Sequence, residues 1–376
     1  MARTSGPPID ARDLLIPEGV VHLQAGGEAP LPRAALSAFD RYARDKAGGI
    51  LGRSRMESVN ADVRKRVASL AGIADDSSLA FVGSASVAIS AAIAGMEWSE
   101  GENIVTLADE FPSVVLAPLA LDRLGVSLRV VDPGDDPERA LAEASDRRTR
   151  LACVSHVSFR HGRRLDLERL SSLVAPNGTS LLVDASHSLG VLGLPVDVCD
   201  VITSCAHKFL LGAHGTGILI WNPRRLGPPR SPAFGWFSVD GFKVESGQAR
   251  FAARPGAGVF ELGNPNFGSL YALSAGLDLL EKAGAADIET YALDLSATLR
   301  RELVRAGWPV MTPEDRGRRG TSIAVPVPDS EALARKLAEL GVVVASGEGR
   351  IRLSIHAFNT KDNVEALLAA LAQAVA

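Results

Sequence analysis

Short apolar, β-branched runs recur through the first 221 positions with helix-like stretches between them, and this alternation constrains the fold of the 376-residue chain more than any other feature. The runs lie at 79–82, 103–107, 127–131, 150–155, 180–184, 201–204 and 216–221. Helical periodicity fills 86–96, 112–124, 137–144 and 167–174. Strands that are apolar throughout, alternating with helices, predict a mostly parallel sheet of seven strands covered on both faces. Past residue 222 the pattern changes. A Pro/Gly-rich stretch, NPRRLGPPRSPAFGW, precedes helices at 269–282 and 288–306. Then TSIAVPV, SEALARKLAEL, VVVAS, RIRLS and KDNVEALLAALAQAV read as strand, helix, strand, strand and helix, a smaller α/β unit. The expected division is a large domain at 15–265 and a small C-terminal domain at 266–376 that also takes residues 1–14. Helices at 33–46 and 61–71 are placed with the large domain, with GGILGRSRM between them read as an exposed loop.

Composition narrows the function. With 46% hydrophobic and 22% charged residues the chain can build a sizeable core. A net charge of -4 offers no basic face for phosphates, so nucleic acid is not an expected partner. Three cysteines, Cys153, Cys199 and Cys205, form neither an even set nor a CxxC pair, which predicts a reducing cytoplasmic setting without disulfides. The first twenty residues lack an apolar signal core, and no run has the roughly 18 apolar residues of a membrane helix, so neither export nor a membrane is expected. Five of seven histidines fall between 156 and 214, but none are paired at i, i+4. Scattered polar residues at strand ends explain them better than a metal, and no metal is expected.

Lysine is more informative. The chain has only seven, and Lys208 alone sits in apolar, Gly-rich surroundings, VITSCAHKFLLGAHGTGILIW. Desolvation there would lower its pKa toward that of a usable amine nucleophile; the alternative is a lysine snorkelling from a strand end. Upstream, SLLVDASHSLG places Asp184 at the carboxyl end of a strand with His187 three residues on. Ligands of open parallel sheets sit outside those ends, so Asp184 and Lys208 can face one crevice. Pyridoxal 5′-phosphate needs both groups: an amine for Schiff-base attachment and a carboxylate that keeps the pyridine nitrogen protonated.

The run from Asp184 to Gly217, with D-x-x-H, H-K and G-x-x-G-x-G, resembles the aminotransferase class V family of fold-type I pyridoxal-phosphate enzymes, which includes cysteine desulfurases, selenocysteine lyases and kynureninases. FVGSASVAI, ADEFPS, SHVSFRHGRRLDL, FELGNPN and GRIRLSIHAFNT resemble further family segments in the same order. The resemblance implies an α/β fold of type I, with Lys208 as aldimine lysine and proton shuttle. It implies Asp184 at the pyridine nitrogen, His187 near the phenolic oxygen, and Phe111 stacked on the ring. Ser84 and Ala85 would offer N–H groups to the phosphate at a helix N-terminus, with His207 as a further donor and Cys205 beside the cofactor; an ordinary N-cap is the plainer reading of Ser84. Arg352 and Ser158 would bind the substrate, Arg352 by clamping its α-carboxylate, where the plainer reading is a surface strand arginine. Asn264 matches a residue by which a neighbouring subunit reaches the phosphate, which implies a homodimer with shared sites.

Departures from the family pattern matter as much. No cysteine follows Cys205, so the persulfide route of desulfurases is not expected, and Cys205 is read as structural. Phe159 stands where desulfurases have a substrate-holding asparagine, and His207 where kynureninase-like members have tyrosine. The expected activity is that of a C-S lyase-like enzyme, acting on a sulfur-bearing or otherwise β-substituted small-molecule amino acid and cleaving it at the β-carbon by elimination from an external aldimine. An aminotransferase or epimerase, a kynureninase-like hydrolase, and a non-catalytic binding protein are the alternatives.

Overall fold

A computed structural model describes residues 6–375; residues 1–5, part of the segment expected beside the small domain, and residue 376 lie outside the described residues. In chain order the elements are β1 (Val21–Leu23), α1 (Ala35–Ala47), α2 (Gly49–Leu70), β2 (Leu79–Val82), α3 (Ala85–Ala94), β3 (Asn103–Leu107), α4 (Pro112–Leu119), β4 (Ser127–Val131) and α5 (Pro137–Ala144). There follow β5 (Thr149–Ser155), α6 (Leu167–Val174), β6 (Ser180–Asp184), β7 (Val201–Cys205), β8 (Gly217–Trp221), α7 (Pro223–Leu226), β9 (Val239–Glu245), β10 (Gln248–Ala253) and α8 (Phe267–Ala283). The C-terminal elements are α9 (Ala285–Arg305), β11 (Ser322–Pro326), α10 (Ser330–Glu339), β12 (Val342–Gly347), β13 (Arg350–Ser354) and α11 (Lys361–Val375).

The seven expected strands form one sheet in the order β2-β8-β7-β6-β5-β3-β4, with β8 antiparallel to both its neighbours and the other pairs parallel. Successive side chains of a strand point to opposite faces, so each central strand feeds two cores. Val105, Val154, Val183, Ile202 and Ile220 enter one, and Ile104, Cys153, Leu182, Val201 and Leu219 enter the other. That double burial is why these strands read as continuous apolar runs.

A second sheet, β1-β12-β13-β11, carries the small C-terminal unit. Its β1 comes from the segment read with the large domain, yet it pairs in parallel with β12 from Val21↔Val342 to Leu23↔Val344. Other differences are local. GGILGRSRM is not a loop: α2 already begins at Gly49, held by the i, i+4 pair Arg53–Glu57 at 2.6 Å and by Arg55 bonded to Asp45 of α1. Both ion pairs anchor a first turn that its glycines disfavour. The hairpin β9–β10 was absent from the sequence reading; it pairs antiparallel apart from both larger sheets, with its residues almost all exposed. No helix among the described residues is long and apolar enough to cross a membrane.

Candidate active site

The carboxyl ends of β5, β6 and β7 open onto a cavity of about 280 Å³ whose far side comes from the small sheet and the segment after β1. Of the residues singled out in the sequence, Ser84, Ala85, Phe111, Asp184, His187, Cys205, His207, Lys208 and Arg352 all line it. Asp184 is the last residue of β6, and Cys205 the last of β7. Lys208 lies in the turn after β7, its Nζ 3.4 Å from His187 Nε2 and 5.5 Å from the centre of the Phe111 ring. Two neighbouring parallel strands thus place an amine and a carboxylate in one crevice.

Each side chain is fixed by its local structure. Asp184 Oδ1 accepts from the Ser186 N–H at 2.9 Å, which orients the buried carboxylate. His187 is buried, packed edge-on to Phe209, and its Nδ1 has no hydrogen-bond partner. Burial, followed by the nearby Lys208 ammonium, holds its pKa well below the ordinary value, so the ring is neutral. His207 stacks on His214 at 4.1 Å, and burial, then His214, push its pKa down to about 4. Burial raises the pKa of the Cys205 thiol, so it is not an activated nucleophile.

At the other end, Ser84 caps α3, its Oγ accepting from the Val87 N–H at 3.2 Å. The N-terminal N–H groups of α3 therefore face the cavity, where they favour an anion. Strand β8 runs tight beneath this turn: a Cβ on Gly217 would lie 2.2 Å from the Ser84 carbonyl. Across the cavity, Arg352 donates from Nη1 to the Phe159 carbonyl at 2.6 Å and from Nη2 to the Gly26 carbonyl at 3.1 Å, while its buried Nε has no partner. Burial, then the nearby Arg350 charge, lower its pKa to about 10. A guanidinium has five N–H groups, so Arg352 keeps donors for a carboxylate.

Two expected residues lie elsewhere. Ser158 does not line the cavity; its Oγ accepts from the Arg160 N–H and its backbone bonds Gly162 and Arg163, which holds the turn beside Phe159, a residue that does line it. Asn264 is exposed on the segment entering α8 and does not line the cavity of its own chain. Sequence reading missed Glu110. Its carboxylate accepts from the Ser155 N–H at 2.6 Å and from the Ser155 Oγ, and burial pushes its pKa up to about 7. It also missed Gly26, whose Cβ would sit 3.1 Å from His187 Cε1 and 2.7 Å from Ser354 Oγ. The adjacent pair Gly26–Gly27 before the first helix was the available signal. His207 further belongs to a group with Glu28 and His214 whose ligand atoms lie within 4.8 Å of one another and could hold a metal ion.

The cavity fits pyridoxal phosphate on its own terms. It offers an anion-binding helix N-terminus, an aromatic wall, a carboxylate and an amine, with the buried His187 Nδ1 and Ser186 Oγ still lacking partners. Known proteins agree. The sequence profile of the aminotransferase class-V family matches residues 21–367. A kynureninase of Pseudomonas fluorescens is 27% identical over 374 residues, covering 91% of this chain and 88% of that protein. A probable cysteine desulfurase of Pyrococcus abyssi is 25% identical, covering 98% of each. Among solved structures, the apo cysteine desulfurase of Thermococcus onnurineus superposes with a TM-score of 0.87 at 22% identity over 98% of both chains. The cystine C-S lyase C-DES, in complex with its product cysteine persulfide, reaches 0.86 at 22% identity over 94% of this chain and 98% of that one.

Proposed function

From the premise that the chain belongs to the aminotransferase class-V family of fold-type I pyridoxal-phosphate enzymes, we propose that it is a lyase that cleaves small amino acids at the β-carbon. One observation carries this reading: Lys208 Nζ, the Asp184 carboxylate and the spare donors of Arg352 face a single cavity, while no cysteine follows Cys205 to take up sulfur. A solved neighbour named as a C-S lyase supports the same class of reaction.

Bound pyridoxal phosphate supplies an electron sink for the pair released when a bond at the substrate Cα breaks. This chain's residues do the rest. Ser84, Ala85 and the following N–H groups of α3 would hold the phosphate, with His207 as a further donor. Asp184, oriented by Ser186, would lie at the pyridine nitrogen and keep it protonated, since a carboxylate beside a ring nitrogen favours its charged form. Phe111, which lines the cavity, would cover the ring face and exclude water there. His187, neutral and without a partner on Nδ1, is free to orient the ring oxygen by a hydrogen bond. Arg352 fixes the substrate carboxylate, and Lys208 Nζ takes the proton from Cα and returns it where the product needs one.

We place Asn264 at the cavity of a second copy, in a homodimer. The exposed side chains of Phe234, Trp236, Phe242, Val244 and Phe251 on and around the hairpin support this, because an isolated two-stranded ribbon with bare apolar residues is marginal in water. Three buried, unpaired cysteines fit a reducing cytoplasm. The reaction class is tested by incubating the cofactor-loaded enzyme with β-substituted amino acids and following ketoacid, ammonia and the released group. Stoichiometric release of the β-substituent is the expected result. Conversion of the cofactor to its amino form, with a ketoacid that retains the substituent, would instead make the protein an aminotransferase.

A further inference from the structure

Arg352, which lines the cavity, is not the only arginine beside Phe159. Arg350 lies two residues earlier on the same strand, so both side chains leave one face of β13, about 6–7 Å apart. Arg350 is 6% exposed, and its Nε has no hydrogen-bond partner. Its guanidinium carbon lies 5.3 Å from the centre of the Phe159 ring, whose own carbonyl accepts from Arg352. The two arginines therefore grip one cavity-lining residue, Arg350 by the ring and Arg352 by the backbone.

Their charges are poorly matched. Glu348, 47% exposed at its side chain, accepts from Arg350 Nη1 at 2.8 Å and from Arg160 Nη1 at 3.0 Å. Arg352 donates only to carbonyls. Arg350 and the more exposed Arg160 thus share a single carboxylate while Arg352 has none, which leaves an excess of positive charge around Phe159. A buried cation without full compensation is costly unless something pairs with it. The α-carboxylate of an amino acid answers Arg352, which has no acid partner. Glu348 itself sits in the left-handed region at φ 52°, at the tip of the turn between β12 and β13, and is a counter-ion that a ligand can displace.

Resting on the reading of the cavity as an amino-acid site, we propose that Arg350 is a specificity residue, and that the substrate is an acidic amino acid whose side chain carries a second anionic group. That group would displace Glu348 and take the charge-assisted hydrogen bonds of Arg350 while Arg352 holds the α-carboxylate.

The test uses the cofactor-loaded protein and two probe pairs. L-Aspartate and L-asparagine are titrated against the visible spectrum of the bound cofactor; succinate and its monoamide are compared by thermal shift at matched ionic strength, which needs no amino-group chemistry. The acid of each pair is expected to bind about tenfold or more tightly than the amide, from one charge-assisted interaction. Arg350→Gln should bring the acid down to the affinity of the amide. Glu348→Gln, a change at an exposed turn that removes the competitor, should widen the preference. Equal affinities in the unaltered protein would overturn the proposal, as would a Glu348→Gln variant in which the preference for the acid falls or stays the same. A clear cofactor band without acid preference sinks this proposal alone. No cofactor band, with the succinate preference intact, sinks the reading of the reaction and leaves the anion subsite standing.

Discussion

Glu110 shows how much one residue can hide in a sequence. It sits between an aspartate and the phenylalanine that lines the cavity, and nothing in ADEFPS marks it as different from a surface acid. Only the fold turns its carboxyl onto Ser155, the strand partner of Asp184. Its pKa is raised from 4.5 to about 7, by burial first, and Asp109 and Asp184 add to the rise against the lowering hydrogen bonds from Ser155. Between those two values the folded chain keeps a proton that the unfolded chain has released. Stability from this group is therefore full below about pH 4.5 and is lost as pH rises through about 7. Denaturant unfolding at pH 5 and pH 8 should show Glu110→Gln gaining on the parent by on the order of 1–3 kcal/mol at the higher pH. Parallel pH dependence in the two proteins would refute the prediction. Lys208, by contrast, was legible, because a lone lysine in an apolar, Gly-rich run is conspicuous among only seven. Arg350 had a signal too: arginines at i and i+2 of a strand share a face, and RIRLS displays that alternation.

At the scale of elements, the central strands were readable because they are buried on both faces. The three-residue β1 was too short to show a period, and β9 and β10, exposed along almost their whole length, carry no run of buried apolar residues to mark them. The turn from β2 into α3 gives the clearest prediction at this scale. It rests on β8 at Gly217, where a methyl group would overlap the Ser84 backbone. Gly217→Ala should push the N-terminal turn of α3 away from the cavity and weaken pyridoxal-phosphate binding by about tenfold or more, the worth of one or two charge-assisted bonds to phosphate. Fluorescence titration of the apoprotein with the cofactor measures it. Unchanged affinity would mean that the helix N-terminus does not hold the phosphate.

The whole molecule joins two sheets of different origin around one cavity, and it leaves an apolar hairpin unsupported. If that hairpin and Asn264 meet a second copy, the protein sediments as a dimer, and Phe242→Asp together with Trp236→Asp should shift it toward monomer and lower cofactor affinity in the same step. A monomeric parent protein, or a monomeric variant that keeps full affinity, would separate the cavity from the interface and contradict shared sites. The acid arm of stability belongs to this scale as well. His156 and His356 are buried with pKa values pushed down to about 3 and about 4 by desolvation, so the stability they contribute is present above their ordinary value of 6.5 and lost as pH falls toward 4. Beneath all of this lies the claim that Lys208 is where the cofactor attaches. Borohydride reduction of the protein loaded with pyridoxal phosphate, followed by peptide mass spectrometry, tests it directly. The account predicts a phosphopyridoxyl group on the peptide containing Lys208 and none in the Lys208→Ala variant. Attachment to any of the other six lysines, or to none, would contradict it.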